Sequence, residues 1–256
     1  MTPHDFPVLE GGFNIRDLGG LPTQDGRVVR PGRLIRSGTL SDLTVRDVGA
    51  LKSYGIEGIF DLRSTREQLA YPNPVIGKPV EPWRLPENEH VGEPGKLVER
   101  IGISPEHTHG VVCESYSAFP YAYKMAYRGV FATLARNQTP LIFHCAYGKD
   151  RTGIGAALVL SALGVTREAV TQDYMRSNDA LEGFKERFLR DSHTAAARDL
   201  DPAIWYPVAI ADPSYLDAMF DSIARRDGTI ERYLEVEMGV DRAMQERLKD
   251  TLLVAA

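Results

Sequence analysis

What this chain of 256 residues lacks narrows its character before any motif is read. No apolar run approaches the roughly 18 to 20 residues that a membrane-spanning helix needs. The first residues, Met1 to Glu10, lack the basic stretch and apolar core of a secretory leader. The expectation is a soluble protein without a transmembrane segment, cytoplasmic or exported without a Sec-type signal peptide. Only two cysteines occur, too few for a disulfide framework and suited to a reducing compartment. There is no basic excess: 30 Lys and Arg against 35 Asp and Glu leave a net charge of −5, which argues against a general nucleic-acid binder. Affinity for an anionic substrate must then come from local focusing of charge. No internal repeat or low-complexity tract appears, and 43% hydrophobic with 25% charged residues is ordinary globular composition. A single domain over residues 1–256 is expected.

What is present centres on one stretch. Leu141, Ile142 and Phe143 read as a short buried strand, and the apolar run from Ile154 to Leu163, stopped by Gly164, reads as a core helix. The loop between them runs His144-Cys145-Ala146-Tyr147-Gly148-Lys149-Asp150-Arg151-Thr152-Gly153. A thiol at a helix N-terminus beside cations is favoured as the reactive thiolate. Gly148 lets the backbone turn so that successive N–H groups face one point, a geometry that binds oxyanions. Arg151, six positions after Cys145, offers a planar fork for two phosphate oxygens. Thr152 is expected to donate to the sulfur and His144 to orient the loop from behind. A nucleotide-binding Walker loop does not fit, because Phe143 stands where it needs glycine and Asp150 where it needs Ser or Thr.

This loop resembles the signature of the cysteine-based tyrosine phosphatases, and its full string is similar to the bacterial branch related to the secreted mycobacterial and listerial enzymes. Further matching strings are Asn14 to Gly20, Arg30 to Gly38, Asp61-Leu62-Arg63-Ser64 and Asp173 to Asn178. The resemblance implies an α/β fold with a central, mostly parallel sheet flanked by helices, and a helical lid inserted at about residues 181–213. It also implies hydrolysis of phosphotyrosine or phosphoinositide through a cysteinyl-phosphate, with no cofactor and no metal. Cys145 is then the nucleophile, and Arg151 with the N–H groups of Ala146, Tyr147, Gly148 and Lys149 holds phosphate. Thr152 and Arg63 are counted among the substrate-binding residues. Two candidates remain for the general acid. Asp61 ends a strand, on the sheet edge where ligands of open α/β sheets gather; Asp150 lies in the loop itself. A silent phosphate-binding module and a rhodanese-like sulfurtransferase are the competing readings.

The rest of the chain is expected to be scaffold. Residues 1–12 read as a loosely held arm, and Phe13 to Gly38 as an irregular lead-in followed by a hairpin-like pair. Thr44 to Tyr54 has helical spacing, with Thr44 as cap and Gly55 as stop. Ile56 to Leu62 reads as a strand and Ser64 to Glu67 as a capping box. Val80 to Leu85 reads as a strand, Pro86 to Gly110 as an unpatterned loop, and Pro120 to Ala135 as a helix. His107 and His109 are too weak a set for a metal site. One or more of Arg16, Arg33 and Arg36 are expected to brace the loop, and Phe184, Phe188 and Trp205 to stand exposed over the pocket. Lys149 suits a substrate carrying more than one phosphate.

Overall fold

The computed structural model describes residues 6–80, 97, 99–190 and 198–256. Five strands form one sheet: β1 (Arg16–Asp17), β3 (Leu34–Ser37), β6 (Leu141–His144), β4 (Gly58–Asp61) and β5 (Lys78–Pro79), in that spatial order. β3, β6, β4 and β5 run parallel, and β1 joins antiparallel through Arg16 opposite Arg36. The expected mostly parallel sheet is therefore present.

Side-chain alternation along these strands divides the core. Leu34, Leu141 and Phe143 face one side and join a large cluster, whereas Ile35 and Ile142, the intervening residues, face the other and join a smaller one. The smaller cluster is closed by α1 (Val45–Tyr54), which contributes Leu51. This helix begins with a capping box between Thr44 and Asp47 and ends at Gly55, whose φ of 88° is the left-handed cap that glycine favours. The larger cluster is built on α5 (Asp150–Ala162), an apolar helix running through the middle of the core, with α3 (Pro105–Ala122), α4 (Lys124–Ala135) and α6 (Arg167–Met175) around it. Each large side chain buried this way contributes about 1.5–3 kcal/mol.

After α6 come a 3₁₀ turn (Arg176–Ala180), α7 (Leu181–Arg190), α8 (Pro202–Ala209), α9 (Pro213–Asp227), α10 (Ile230–Val236) and α11 (Arg242–Leu252). Among the described residues no helix is long and apolar enough to cross a membrane.

Several expectations change. β2 (Arg27–Val29) does not form a hairpin with β3; it pairs antiparallel with β7 (Leu253–Ala255) at the far end of the chain. Residues 105–110, read as loop, open α3, where Ser104 caps the helix and Pro105 takes its first position. The helix read over Pro120 to Ala135 is two helices broken at Tyr123, because α3 absorbs Pro120 near its end. From Phe6 onward the arm is docked: the N–H groups of Glu10 and Gly11 donate to Asp47 at 2.9 Å each, and the Phe6 and Tyr54 rings meet edge to face. The strand predicted at Val80 to Leu85 falls mostly outside the described residues, as does part of the loop before α3.

Candidate active site

The loop leaves the C-terminal end of β6 and enters α5 with three carbonyls drawn outward. The Ala146 carbonyl accepts from Thr39 N–H at 2.9 Å, that of Tyr147 from the Asn14 amide at 3.0 Å, and that of Gly148 from Arg36 at 2.8 Å. A trans peptide points its N–H opposite to its carbonyl, so the N–H groups of Tyr147, Gly148 and Lys149 are turned to the other side. The Gly148 N–H accordingly donates to the Cys145 sulfur at 3.3 Å. Glycine at 148 is obligatory for two reasons. Its φ is +69°, and a Cβ there would lie 2.5 Å from the Gly38 nitrogen.

Arg36 is fully buried and shares the carboxylate of Asp173 with Arg16, at 2.5 and 2.8 Å. Burial opposes ionisation of Asp173, but the charges of Arg36 and Arg16 outweigh it and hold the carboxyl below its ordinary range. Of the three arginines considered as braces, Arg36 thus grips the loop directly and Arg16 acts behind it. Arg33 reaches only Asn137, at the surface.

Arg151 is gripped from α2 (Thr65–Ala70). Both Glu67 oxygens accept from its Nη1 and Nη2, each at 2.7 Å, and the Leu62 carbonyl accepts from Nη1 at 3.3 Å. Glu67 also closes the capping box with Ser64, so one carboxylate caps α2 and fixes the guanidinium. Burial works against both charges, yet their attraction keeps Glu67 low and Arg151 well above its ordinary value. Among the described residues the Arg151 Nε–H and one Nη2 hydrogen have no acceptor, which leaves one edge of the fork for an oxyanion. Sequence reasoning found Glu67 only as a cap; its second role requires knowing which helix faces the loop.

Arg63 does not face the substrate side. All five of its N–H groups are taken, by Asp61, Thr39, Tyr71 O and Asn73, and the side chain is buried. It is a brace for Asp61, contrary to the expectation of substrate binding. Asn73 in turn donates to Asp61 and to His144 Nε2, both at 2.9 Å, so His144 Nδ1 carries the hydrogen toward the Cys145 carbonyl. His144 therefore steadies the loop from behind as a neutral imidazole. Burial lowers its pKa. Thr152 donates to the Ser37 carbonyl at 3.4 Å and not to the sulfur.

The two candidate acids are placed very differently. Asp61 accepts from Arg63 N, Nε and Nη2 and from Asn73. Burial raises its pKa, but His144 and Arg63 outweigh this and the net shift is downward. Among the described residues Asp150 accepts one hydrogen bond, on Oδ1 from the Tyr116 hydroxyl at 2.8 Å, and the Lys149 ammonium forms an ion pair with the same oxygen at 2.8 Å. Asp150 lines a small pocket together with Tyr116, Phe119, Tyr147, Phe184 and Phe188.

Phe184, Phe188 and Trp205 are buried, not exposed. They form a ladder of rings that starts on the loop, with Tyr147 to Phe184 at 4.4 Å, Phe184 to Phe188 at 5.6 Å and Phe188 to Trp205 at 5.4 Å. Lys149 is likewise buried and donates to the Ile210 carbonyl at 3.1 Å. The histidines of the 107–109 stretch diverge, His107 to the Arg100 carbonyl and His109 to Ser214. Among the described residues no three His, Cys, Asp or Glu side chains gather as a metal ion would need.

These buried pairs set an acid limit to stability. Between the lowered His144 pKa and its ordinary 6.5, the unfolded chain takes up a proton that the folded chain refuses, so stability falls as pH drops through 6.5. Asp61, Asp173 and Glu67 stabilise fully above their ordinary values of 3.8, 3.8 and 4.5, and that contribution is lost as pH falls below them. The melting temperature should be level near pH 8, decline below pH 6.5 and drop steeply below about 4.5. In His144→Asn the first decline should disappear; a wild-type profile in that variant would remove His144 as its source.

A parallel sheet that delivers a cysteine to a ring of inward N–H groups, with an arginine fork at the mouth of the following helix, defines a cysteine-loop phosphatase fold. The chain belongs to the tyrosine phosphatase family, whose model matches residues 7–254. It is 34% identical over 231 residues to a Cupriavidus necator protein named as a candidate tyrosine-protein phosphatase, covering 90% of this chain and 83% of that one. It is also 28% identical to the triple specificity protein phosphatase PtpB of Mycobacterium tuberculosis, covering 96% of this chain and 98% of that one. A tyrosine-protein phosphatase of Nostoc commune is 28% identical over 150 residues, 58% of this chain and 49% of that one.

Proposed function

We propose that this chain is a protein-tyrosine phosphatase that works through a cysteinyl-phosphate, with Cys145 as nucleophile and Asp150 as general acid. The observation that carries the reading is the loop itself. Its outward carbonyls, its N–H donor on the Cys145 sulfur and the open edge of Arg151 suit a phosphoryl group held over the thiolate. In the first step the thiolate attacks phosphorus, the ester P–O bond breaks, and Asp150 gives its proton to the leaving oxygen. Water then attacks phosphorus, Asp150 takes back a proton, the S–P bond breaks, and phosphate leaves. Loop N–H groups and Arg151 hold the equatorial oxygens in both steps.

Asp150 is preferred over Asp61 on accessibility. Asp61 is saturated by Arg63 and Asn73, whereas Asp150 lines the pocket and, among the described residues, its Oδ2 has no hydrogen-bond partner. Phosphotyrosine leads as substrate because two relatives are named tyrosine-protein phosphatases and aromatic rings wall the pocket beside Asp150. Lys149, paired with Asp150 and bound to the Ile210 carbonyl, serves the interior of the site in this state and is not free for a second phosphate. Residues 181–190 and 202–212 act as a lid: Phe184 lies on Tyr147, and Ile210 holds Lys149.

The test is release of phosphate from para-nitrophenyl phosphate, a phosphotyrosine peptide and a phosphoinositide. Asp150→Asn should lose roughly 10²- to 10³-fold on the peptide and far less on the activated nitrophenyl ester. Asp61→Asn should act mainly on stability. A larger turnover loss in Asp61→Asn than in Asp150→Asn would reverse the assignment, and preferential turnover of the lipid would move the substrate class.

A further inference from the structure

The reading of Asp150 as acid leaves open what fixes its proton on the oxygen that faces the substrate. Asp150 Oδ1 accepts a hydrogen bond from the Tyr116 hydroxyl on α3 and forms an ion pair with the Lys149 ammonium in the loop, each at 2.8 Å. Behind Tyr116 stands Tyr174 of α6, with the two phenolic oxygens 2.6 Å apart. Both tyrosines are fully buried. Burial first, then the Asp150 charge, pushes both phenols well above their ordinary pKa, so each keeps its hydrogen and acts as a donor. Tyr116 spends its hydrogen on Asp150, so Tyr174 donates to Tyr116. The chain of donors therefore runs one way, from Tyr174 through Tyr116 to Oδ1.

We propose that Tyr116, backed by Tyr174, is a positioning residue for the general acid. It occupies Oδ1 with a donor and so confines the transferable proton to Oδ2. A carboxyl oxygen that already accepts a hydrogen bond and faces an ammonium is a poor place for a proton, and the other oxygen takes it. The titratable and charged groups around the carboxyl are Lys149 from the loop, Tyr116 from α3, Tyr174 from α6 and Tyr215 from α9. Tyr174 directly follows Asp173, the anchor of Arg36, so one turn of α6 serves both the cradle and the acid. The hydroxyls of Tyr116 and Tyr174 bond to Asp150 and to each other, so their effect passes through Asp150.

The inference rests on Asp150 being the acid, and the experiment separates the two. Tyr116→Phe keeps the ring, which packs edge to face on Phe119, and removes only the hydroxyl. The expected result is about tenfold slower turnover of a phosphotyrosine peptide, with a loss under about threefold on para-nitrophenyl phosphate, whose leaving group needs little protonation. The basic limb of the pH–rate profile should also move to higher pH, because the ionised carboxylate has lost a donor. Tyr174→Phe should show the same pattern more weakly. If Asp150→Asn steepens the leaving-group dependence while Tyr116→Phe leaves both that dependence and the basic limb unmoved, the positioning role is wrong and the acid assignment stands. If Asp150→Asn leaves leaving-group dependence intact, the acid assignment fails first. Equal losses on both substrates in Tyr116→Phe, with an unmoved basic limb, would mean a packing role only and overturn the proposal.

Discussion

Cys145→Ser is expected to lower phosphate release by at least about 10⁴-fold on every substrate, while a phosphotyrosine peptide still binds. The reason is that serine keeps the shape of the site and loses the nucleophile. An alcohol is almost wholly protonated near neutral pH, whereas the loop is built to hold an anionic sulfur against the Gly148 N–H. The outward carbonyls, held by Thr39, Asn14 and Arg36, do not depend on the side chain at 145. Binding should therefore survive in calorimetry while turnover disappears. Wild-type turnover in this variant would end the covalent mechanism. Absence of turnover in the wild-type protein, with a persulfide mass on Cys145 after exposure to a sulfur donor, would instead indicate sulfur transfer.

The second large effect is on stability and falls far from the thiol in sequence. Asp173→Ala removes the one carboxylate that two buried arginines share, and leaves two unpaired charges in the core. Breaking a buried pair from one side costs about 3–5 kcal/mol, so the melting temperature should fall by roughly 10 °C. Arg36 would also lose the anchor that aims it at the Gly148 carbonyl, and KM should rise along with the loss of stability. Arg33→Ala is the control, since Arg33 reaches only Asn137 at the surface and should shift the midpoint little. A drop in Asp173→Ala no larger than in that control would mean the arginines find other partners.

Local chemistry made part of this molecule readable in advance. Thr44 and Gly55 bound α1, and Ser64 with Glu67 starts α2, because caps are written within four residues of each other. The loop from Cys145 to Arg151 was readable for the same reason: thiol, turn and fork are adjacent in the chain. What escaped was decided by partners distant in sequence. That Glu67 grips Arg151, that Arg63 is consumed by Asp61 and Asn73, and that Phe184 and Phe188 are covered depend on which elements pack together. Tyr116 was hidden for a more local reason. Ser104-Pro105 is a helix start, but the glycines, prolines and histidines around it masked the pattern, and so residues 105–110, the opening of the helix that brings Tyr116 to Asp150, were read as loop.

The order of strands bears on how the enzyme comes into being. β6 sits between β3 and β4, which precede it in the chain: Leu141 pairs with Leu34, 141 − 34 = 107 residues earlier, and with Gly58, 141 − 58 = 83 residues earlier. Such contacts close long loops before any compensating burial, and chains dominated by them fold slowly. The middle strand must slot between two neighbours that are joined only through it. Nascent or refolding molecules that have not completed this step own the cysteine and the arginine but no anion cradle. Recovery of activity after dilution from denaturant should therefore follow sheet completion and lag behind the return of helical signal.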